Sequence, residues 1–291
     1  MRHVGEKIMR FRGLSTVTCV TGQRDLQAGQ AVGRGQPRPV ACMRARRHAI
    51  GGSRERYGYR VEGSAWRAER GQVNTFTCRT TLSLGEAIVV ATICFGLFIL
   101  ASVQAVFAGF PEARYSDADN VWGIFIELVL GALALIYLRL RDFDLAALYP
   151  RPELRGTVIG IALYIVAWIA GDLAVMPLQA ADNTLPVVEF SYAGSSLVPI
   201  VLFAMVNGTF EEVFLLGVLA RGLQDRGPAF AAGVSLLVRL SYHLYQGPAG
   251  AIWVLVFGLV VTVYYLRTRR LWPVVFAHIL GDIVPFVLPP G

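Results

Sequence analysis

The stretch NGTFEEVFLLGVLARG, residues 207–222, sets Glu211 and Glu212 side by side in an otherwise apolar segment. An ionised carboxylate at the centre of a bilayer costs about 2.5–3.5 kcal/mol on insertion scales. Two adjacent carboxylates also repel each other. A chain that keeps them in such a segment needs partners close by or a water-filled cavity. The later apolar segments offer Arg239, His243, His278 and Asp282 as partners.

The rest of the chain supports a membrane setting. It is 55% hydrophobic and only 16% charged, with a mean hydropathy of +0.52, where soluble domains carry about 25% charged residues. From Leu84 on, apolar runs of the length needed to cross about 30 Å of hydrocarbon recur. Seven are read, at about 86–108, 121–138, 156–176, 195–220, 228–246, 249–266 and 272–289. They predict an all-α fold, a polytopic membrane helix bundle of about seven transmembrane helices. The connecting loops alternate in charge. Arg70 and Arg79 precede the first run; Arg139, Arg141, Arg151 and Arg155 follow the second; Arg221 and Arg226 follow the fourth; Arg267, Arg269 and Arg270 follow the sixth. The loop after the first run is net acidic, the one after the third has Asp182 and Glu189 with no basic residue, and YQGPAG has no charge. The positive-inside rule then places the N-terminus in the cytoplasm and the C-terminus outside. Lys7 is the only lysine beside 26 arginines, which suggests a GC-rich genome; the expected location is a bacterial cytoplasmic membrane. The segment RDFDLAALYPRP, 141–152, reads either as a short amphipathic helix along the cytoplasmic surface or as a loop with one helical turn.

Residues 1–80 differ from the rest. They hold 16 Arg or Lys and 5 Asp or Glu, against 11 and 15 in residues 81–291. No apolar run follows the basic start, so it does not read as a signal peptide. One reading is an arginine-rich arm for nucleic acid or anionic lipid. The favoured one is a disordered tail, or an upstream extension that the cell does not make, with Val73 as an alternative start; no nucleic-acid partner is expected. Residues 81–291 form one multi-spanning membrane domain, with no internal repeat. The four cysteines, Cys19, Cys42, Cys78 and Cys94, make no C-x-x-C and suggest neither a disulfide framework nor a structural zinc site.

The membrane domain has only two histidines, His243 and His278, both inside apolar runs. Arg239 and His243 are four apart and share a helix face, as do His278 and Asp282. Glu212 points about 100° away from Glu211 around the helix. Asn207-Gly208 is expected to loosen the helix and admit water. No H-E-x-x-H is present, so a zincin is not supported. Glu127 and Asp172 also fall inside apolar runs; they could extend the cavity, but the favoured reading is interhelical hydrogen bonders or protonated carboxyls. A glutamate in a wet membrane cavity can act as general base on water. Imidazoles can position that water, stabilise an oxyanion or bind a metal. A proton-relay transporter would use the same residue types, but shows paired inverted repeats that are absent here.

At these residues the chain resembles the CPBP intramembrane proteases, also called the Abi or CAAX-protease-like family. The family pattern is Glu-Glu-x-x-x-Arg, then Phe-x-x-x-His, then His-x-x-x-Asn or a similar polar residue. This chain reads Glu211-Glu212-Val-Phe-Leu-Leu216, then Arg239-x-x-x-His243, then His278-x-x-x-Asp282, over a core at about 195–289. The resemblance implies an intramembrane glutamate-dependent endopeptidase acting on a peptide or membrane-protein substrate. It implies Glu211 as general base, Glu212 as its orienting partner, and His243 and His278 as holders of the water and the developing oxyanion. Asp282 takes the place of the usual asparagine. The family does not require a tightly bound metal; a divalent metal, if one binds, would sit on Glu211, His243 and His278. Leu216 stands where the family has arginine, and Arg239 where phenylalanine is usual, so Arg239 is expected to supply the missing cation. The alternative is a non-catalytic protein on the same scaffold that binds a membrane regulator or confers bacteriocin-type immunity.

Overall fold

A computed structural model describes residues 79–181 and 194–287, with residues 18, 19, 76, 77, 186, 188, 190 and 191. The chain divides into two units, Met1–Cys78 and Arg79–Gly291. In the first, β1 (Thr18–Cys19) pairs antiparallel with β2 (Phe76–Thr77). The other expectations for the basic head lie outside the described residues, as do those for Asp182 and Glu189.

The second unit is a helical bundle. Its described residues form α1 (Leu84–Phe107), α2 (Asp117–Leu140), α3 (Leu154–Ala181), α4 (Leu197–Glu212), α5 (Pro228–His243), α6 (Gly247–Thr268) and α7 (Leu271–Val287). Each of the seven apolar runs is thus a helix. Local chemistry sets the ends. Ser83 with Glu86 opens α1, and Ser116 with Asp119 opens α2, each as a reciprocal capping box. Gly227, at φ 104°, turns the chain into α5, whose first residue is proline.

Five stretches are long and apolar enough to cross a membrane: Leu84–Phe107, Asp117–Leu140, Leu154–Leu178, Leu197–Ala220 and Pro228–Thr268. The fifth holds both α5 and α6, broken by a 3-10 turn at Leu244–Gln246. Helix α7, at 17 residues, is shorter. The burial pattern is that of a membrane protein: Leu100, Leu133, Ile136, Val198 and Leu237 face outward from the bundle. The stretch that carries the glutamates is the most enclosed. Of its apolar window 61% is buried, against 22–28% for α1 to α3, so it forms the centre of the bundle.

The loops sort by charge into two ends. At one end Arg79 and Arg141 both pair with Glu86, Arg221 pairs with Asp144, and Arg270 pairs with Glu153. At the other, Ser196 binds Asp117, Ser195 donates to the Tyr115 carbonyl, and the Tyr115 and Tyr245 hydroxyls meet at 3.2 Å. A short parallel pair, β3 (Ala113–Arg114) with β4 (Phe190–Ser191), ties two loops of this arginine-poor end. The segment 141–152 is a loop with one 3-10 turn, Leu145–Leu148, rather than a surface helix. It is tied back by Arg79 N–H to the Asp142 carbonyl and Asp144 N–H to the Arg79 carbonyl, and it buries Phe143 and Leu148.

One expectation is corrected. Asn207-Gly208 does not loosen α4, which runs unbroken to Glu212. Gly208 is instead a point of close approach: a Cβ there would lie 3.1 Å from the Ile279 backbone nitrogen and 3.4 Å from the His278 Cβ. The irregularity comes after the glutamates, where Val213–Ala220 winds as a π-helix. Such segments are rare and occur often at functional sites.

Candidate functional site

Three helices bring the polar residues together. Helix α4 carries Asn207, Glu211 and Glu212; α5 carries Arg239, Tyr242 and His243; α7 carries His278 and Asp282. Helix α4 packs on α7 and on α2, and α5 packs on α6 and on the π-helix. At 1.5 Å per residue, Glu211 lies about 14 Å, Arg239 about 16 Å and His278 about 10 Å from the helix ends at the arginine-rich face. The cluster is therefore near the middle of the bundle.

Glu212 has no exposed surface, and Glu211, Arg239 and His278 are each more than nine-tenths buried. Burying charges at this depth is tolerated only where they are paired. Arg239 does the pairing. Its Nη2 donates to Glu212 Oε1 at 2.6 Å, and its Nη1 stands 3.5 Å from Glu211 Oε2. His278 Nδ1–H donates to the same Glu212 Oε1 at 2.7 Å, because a carboxylate oxygen can only accept. His278 Nε2 lies 3.7 Å from Glu211 Oε2 and 3.7 Å from Asp282 Oδ1. Tyr242 donates its phenolic hydrogen to Glu211 Oε2. The contacts to Glu211 converge on Oε2. Among the described residues no hydrogen bond reaches its Oε1.

The apolar frame holds these groups in place. Gly258 makes room for Arg239: a Cβ there would lie 2.7 Å from Arg239 Cδ and 3.1 Å from Nε. The guanidinium lies over the Phe257 ring, 5.7 Å from its centroid, and the same ring meets His278 edge-on at 5.5 Å. Phe95 of α1 stacks on Tyr242 at 5.0 Å and fixes the plane of the phenol. Leu216 lies fully buried in the apolar core on the π-helix, so the position where the family has arginine is hydrophobic packing here.

His243 stands apart from the glutamates. It is the last residue of α5, half-buried, and its Nδ1–H donates to the Arg239 carbonyl at 3.0 Å. In the neutral ring this leaves Nε2 as an acceptor. Among the described residues no hydrogen bond joins His243 to Glu211 or Glu212. Asp282 is partly buried, with its side chain 26% exposed, and its Oδ2 accepts from Asn207 Nδ2 at 3.1 Å. Asp172 is exposed and accepts from the Trp253 indole at 3.1 Å, an interhelical hydrogen bond away from the cluster. Glu127 of α2 is buried and within electrostatic reach of Glu211, His278 and Asp282.

The donor set does not fit a metal. Among the described residues no three His, Cys, Asp or Glu side chains converge as ligands would. Glu211, His243 and His278 do not share one centre, and the glutamate oxygens nearest them are taken by Arg239, Tyr242 and His278. Three contributors had no clear mark in the sequence. Tyr242 is one of many aromatic residues in apolar runs, though its place three residues after Arg239 puts it on the same helix face. Gly258 acts only through the space it leaves. Asn207 is adjacent to the glutamate motif, but its partner Asp282 is 75 residues away.

Residues 193–284, from the start of α4 almost to the end of α7, match the family model described as Rce1-like, type II CAAX prenyl endopeptidase. No curated protein and no solved structure matches the chain. The matched segment contains every member of the cluster except Glu127. Over residues 193–284 this integral membrane protein is similar to the Rce1-like, CAAX-protease-like family.

Proposed function

We propose that the protein is an intramembrane endopeptidase that hydrolyses a peptide or membrane-protein substrate, with Glu211 as the general base. The observation that carries this reading is the division of labour between the two glutamates. Glu212 is the counter-ion: its Oε1 takes both Arg239 Nη2 and His278 Nδ1. Among the described residues Glu211 is held through Oε2 alone, which leaves Oε1 to take a proton from water. Arg239 thereby supplies the cation that Leu216 does not.

In this mechanism Glu211 removes a proton from a water molecule, and the water oxygen attacks the carbonyl carbon of the scissile bond. Protonated His278 positions the water and then faces the oxyanion of the tetrahedral intermediate. Asn207 brings a carboxamide donor beside Asp282, although the amide is not at position 282 itself. Glu211 then returns the proton to the leaving nitrogen as the C–N bond breaks, giving a carboxylic acid and an amine. The charge pattern of the loops supports placing the arginine-rich end in the cytoplasm, with seven crossings.

The test compares peptide termini in membrane fractions of cells carrying the wild-type protein or Glu211→Gln at matched expression. Termini that appear only with the wild type are expected, and would name the substrate. Identical termini, with Glu211→Gln still complementing a deletion, would overturn the enzyme reading. They would favour the second one, a non-catalytic scaffold, which is motivated by the pairing of Arg239 to both glutamates and by the apolar residue at 216.

A further inference from the structure

Helix α2 is apolar on its outer side, where Val121, Trp122, Phe125, Leu128 and Val129 are exposed. Its inner side is different. Asn120 and Glu127, seven residues apart and so on one face, are each 97% buried at 3% exposure. Among the described residues, Asn120 Nδ2 and Glu127 Oε2 have no hydrogen-bond partner. A buried polar group without a partner is costly, and two on one stripe of a membrane helix need a common explanation.

The register of α2 against α4 locates that stripe. Ser196 binds Asp117, a Cβ at Gly123 would meet the Phe203 ring, and a Cβ at Gly131 would meet the Phe210 and Phe214 rings. The two helices therefore run side by side in the same direction, offset by about 80 residues. Glu127 falls level with Asn207, the residue that binds Asp282, and Asn120 lies about 10 Å nearer the arginine-poor end. Glu127 is within electrostatic reach of Glu211, His278 and Asp282. Asp282 is only partly buried, with its side chain 26% exposed.

We propose that the Asn120–Glu127 face of α2 lines a narrow water passage, which leads from the arginine-poor end of the bundle to Asp282, His278 and Glu211. Water satisfies Asn120 Nδ2 and Glu127 Oε2, each without a partner among the described residues, and a chain of such waters reaches the reacting centre. The passage rests on the hydrolytic reading for its purpose, since peptide hydrolysis consumes one water per bond in a site enclosed by apolar helices.

Cysteine accessibility tests the passage without relying on proteolysis. In a chain whose four native cysteines are replaced, single cysteines are placed by Asn120→Cys, Glu127→Cys, Asn207→Cys and Leu128→Cys. The membrane-impermeant reagent methanethiosulfonate ethylsulfonate is added to oriented vesicles from either side. A thiol reacts as its thiolate, which forms in water and not in hydrocarbon. Positions 120, 127 and 207 are expected to react from the arginine-poor side at least about 10-fold faster than position 128, which is on the outer apolar face. Asn207→Cys reads the same level from α4 if Glu127→Cys does not fold. Rates at 120, 127 and 207 equal to that at 128 would overturn the proposal, as would reaction from the arginine-rich side alone. Labelling as expected with no cleaved termini in cells would sink the protease reading and leave the passage standing.

Discussion

Replacing Arg239 by Met removes the cation and keeps the volume of the side chain. It leaves Glu211 and Glu212 buried with only Tyr242 and His278 as partners. Breaking a buried ion pair by removing one partner costs about 3–5 kcal/mol, because the other charge is left uncompensated. For a helical unit of this size that corresponds to a melting temperature lower by about 6–20 °C. The structure supplies its own reporter. Cys94 is fully buried in α1 and its thiol is free. With Cys19, Cys42 and Cys78 replaced by Ser, a thiol-reactive fluorophore follows unfolding in detergent through Cys94 alone. The double variant Arg239→Met with Glu212→Gln removes both charges of the 2.6 Å pair. It is expected to be less destabilised than the sum of the single variants, by about 1.5–3 kcal/mol. A melting temperature for Arg239→Met within about 2 °C of wild type would refute the claim that this arginine neutralises the site, as would additivity within about 0.5 kcal/mol.

Gly258→Ala puts a methyl group 2.7 Å from Arg239 Cδ and pushes the guanidinium off the glutamates, so both stability and activity fall. Gly233→Ala in α5 meets nothing within 4 Å and gains helix propensity, so the same melting assay should show it stabilised by about 0.5–1 kcal/mol. A destabilised Gly233→Ala beside a neutral Gly258→Ala would contradict this account of the packing. Tyr242→Phe keeps the stack on Phe95 but removes the hydrogen bond to Glu211. A hydrogen bond to a charged group contributes about 1.5–3 kcal/mol, so cleavage rates should drop by about 10–150-fold at unchanged expression. An unaffected rate would show that the phenol does not orient the base.

Much of this architecture was legible before any coordinates. The seven apolar runs became seven helices because length and apolarity alone decide that a segment is helical in a membrane, where backbone groups must be satisfied within the segment. The helix boundaries were less legible: apolarity alone put the first two runs at about 86 and 121, whereas the capping boxes of Ser83 with Glu86 and Ser116 with Asp119 start the helices at Leu84 and Asp117. The motif residues were legible because a charge in an apolar run has no other ready explanation. Less legible was the region around Asn207-Gly208. Glycine marks both flexibility and close approach, and only the neighbouring backbone of Ile279 distinguishes them. The π-helix at Val213–Ala220 had no sequence mark, since every residue in it suits an α-helix.

By itself, then, the sequence determined which segments are helices, that the body is a membrane protein, and which polar residues stand inside it. These are local properties, fixed by composition and spacing along one element. The tertiary structure decided which of those residues meet. It gave Arg239 to both glutamates, placed Tyr242 on Glu211, Asn207 beside Asp282 and His243 off the cluster. It also turned Asn120 and Glu127 inward. Those outcomes depend on the register and rotation of α2, α4, α5 and α7 against one another. That packing is set by glycines and aromatic rings whose effect exists only once the helices touch.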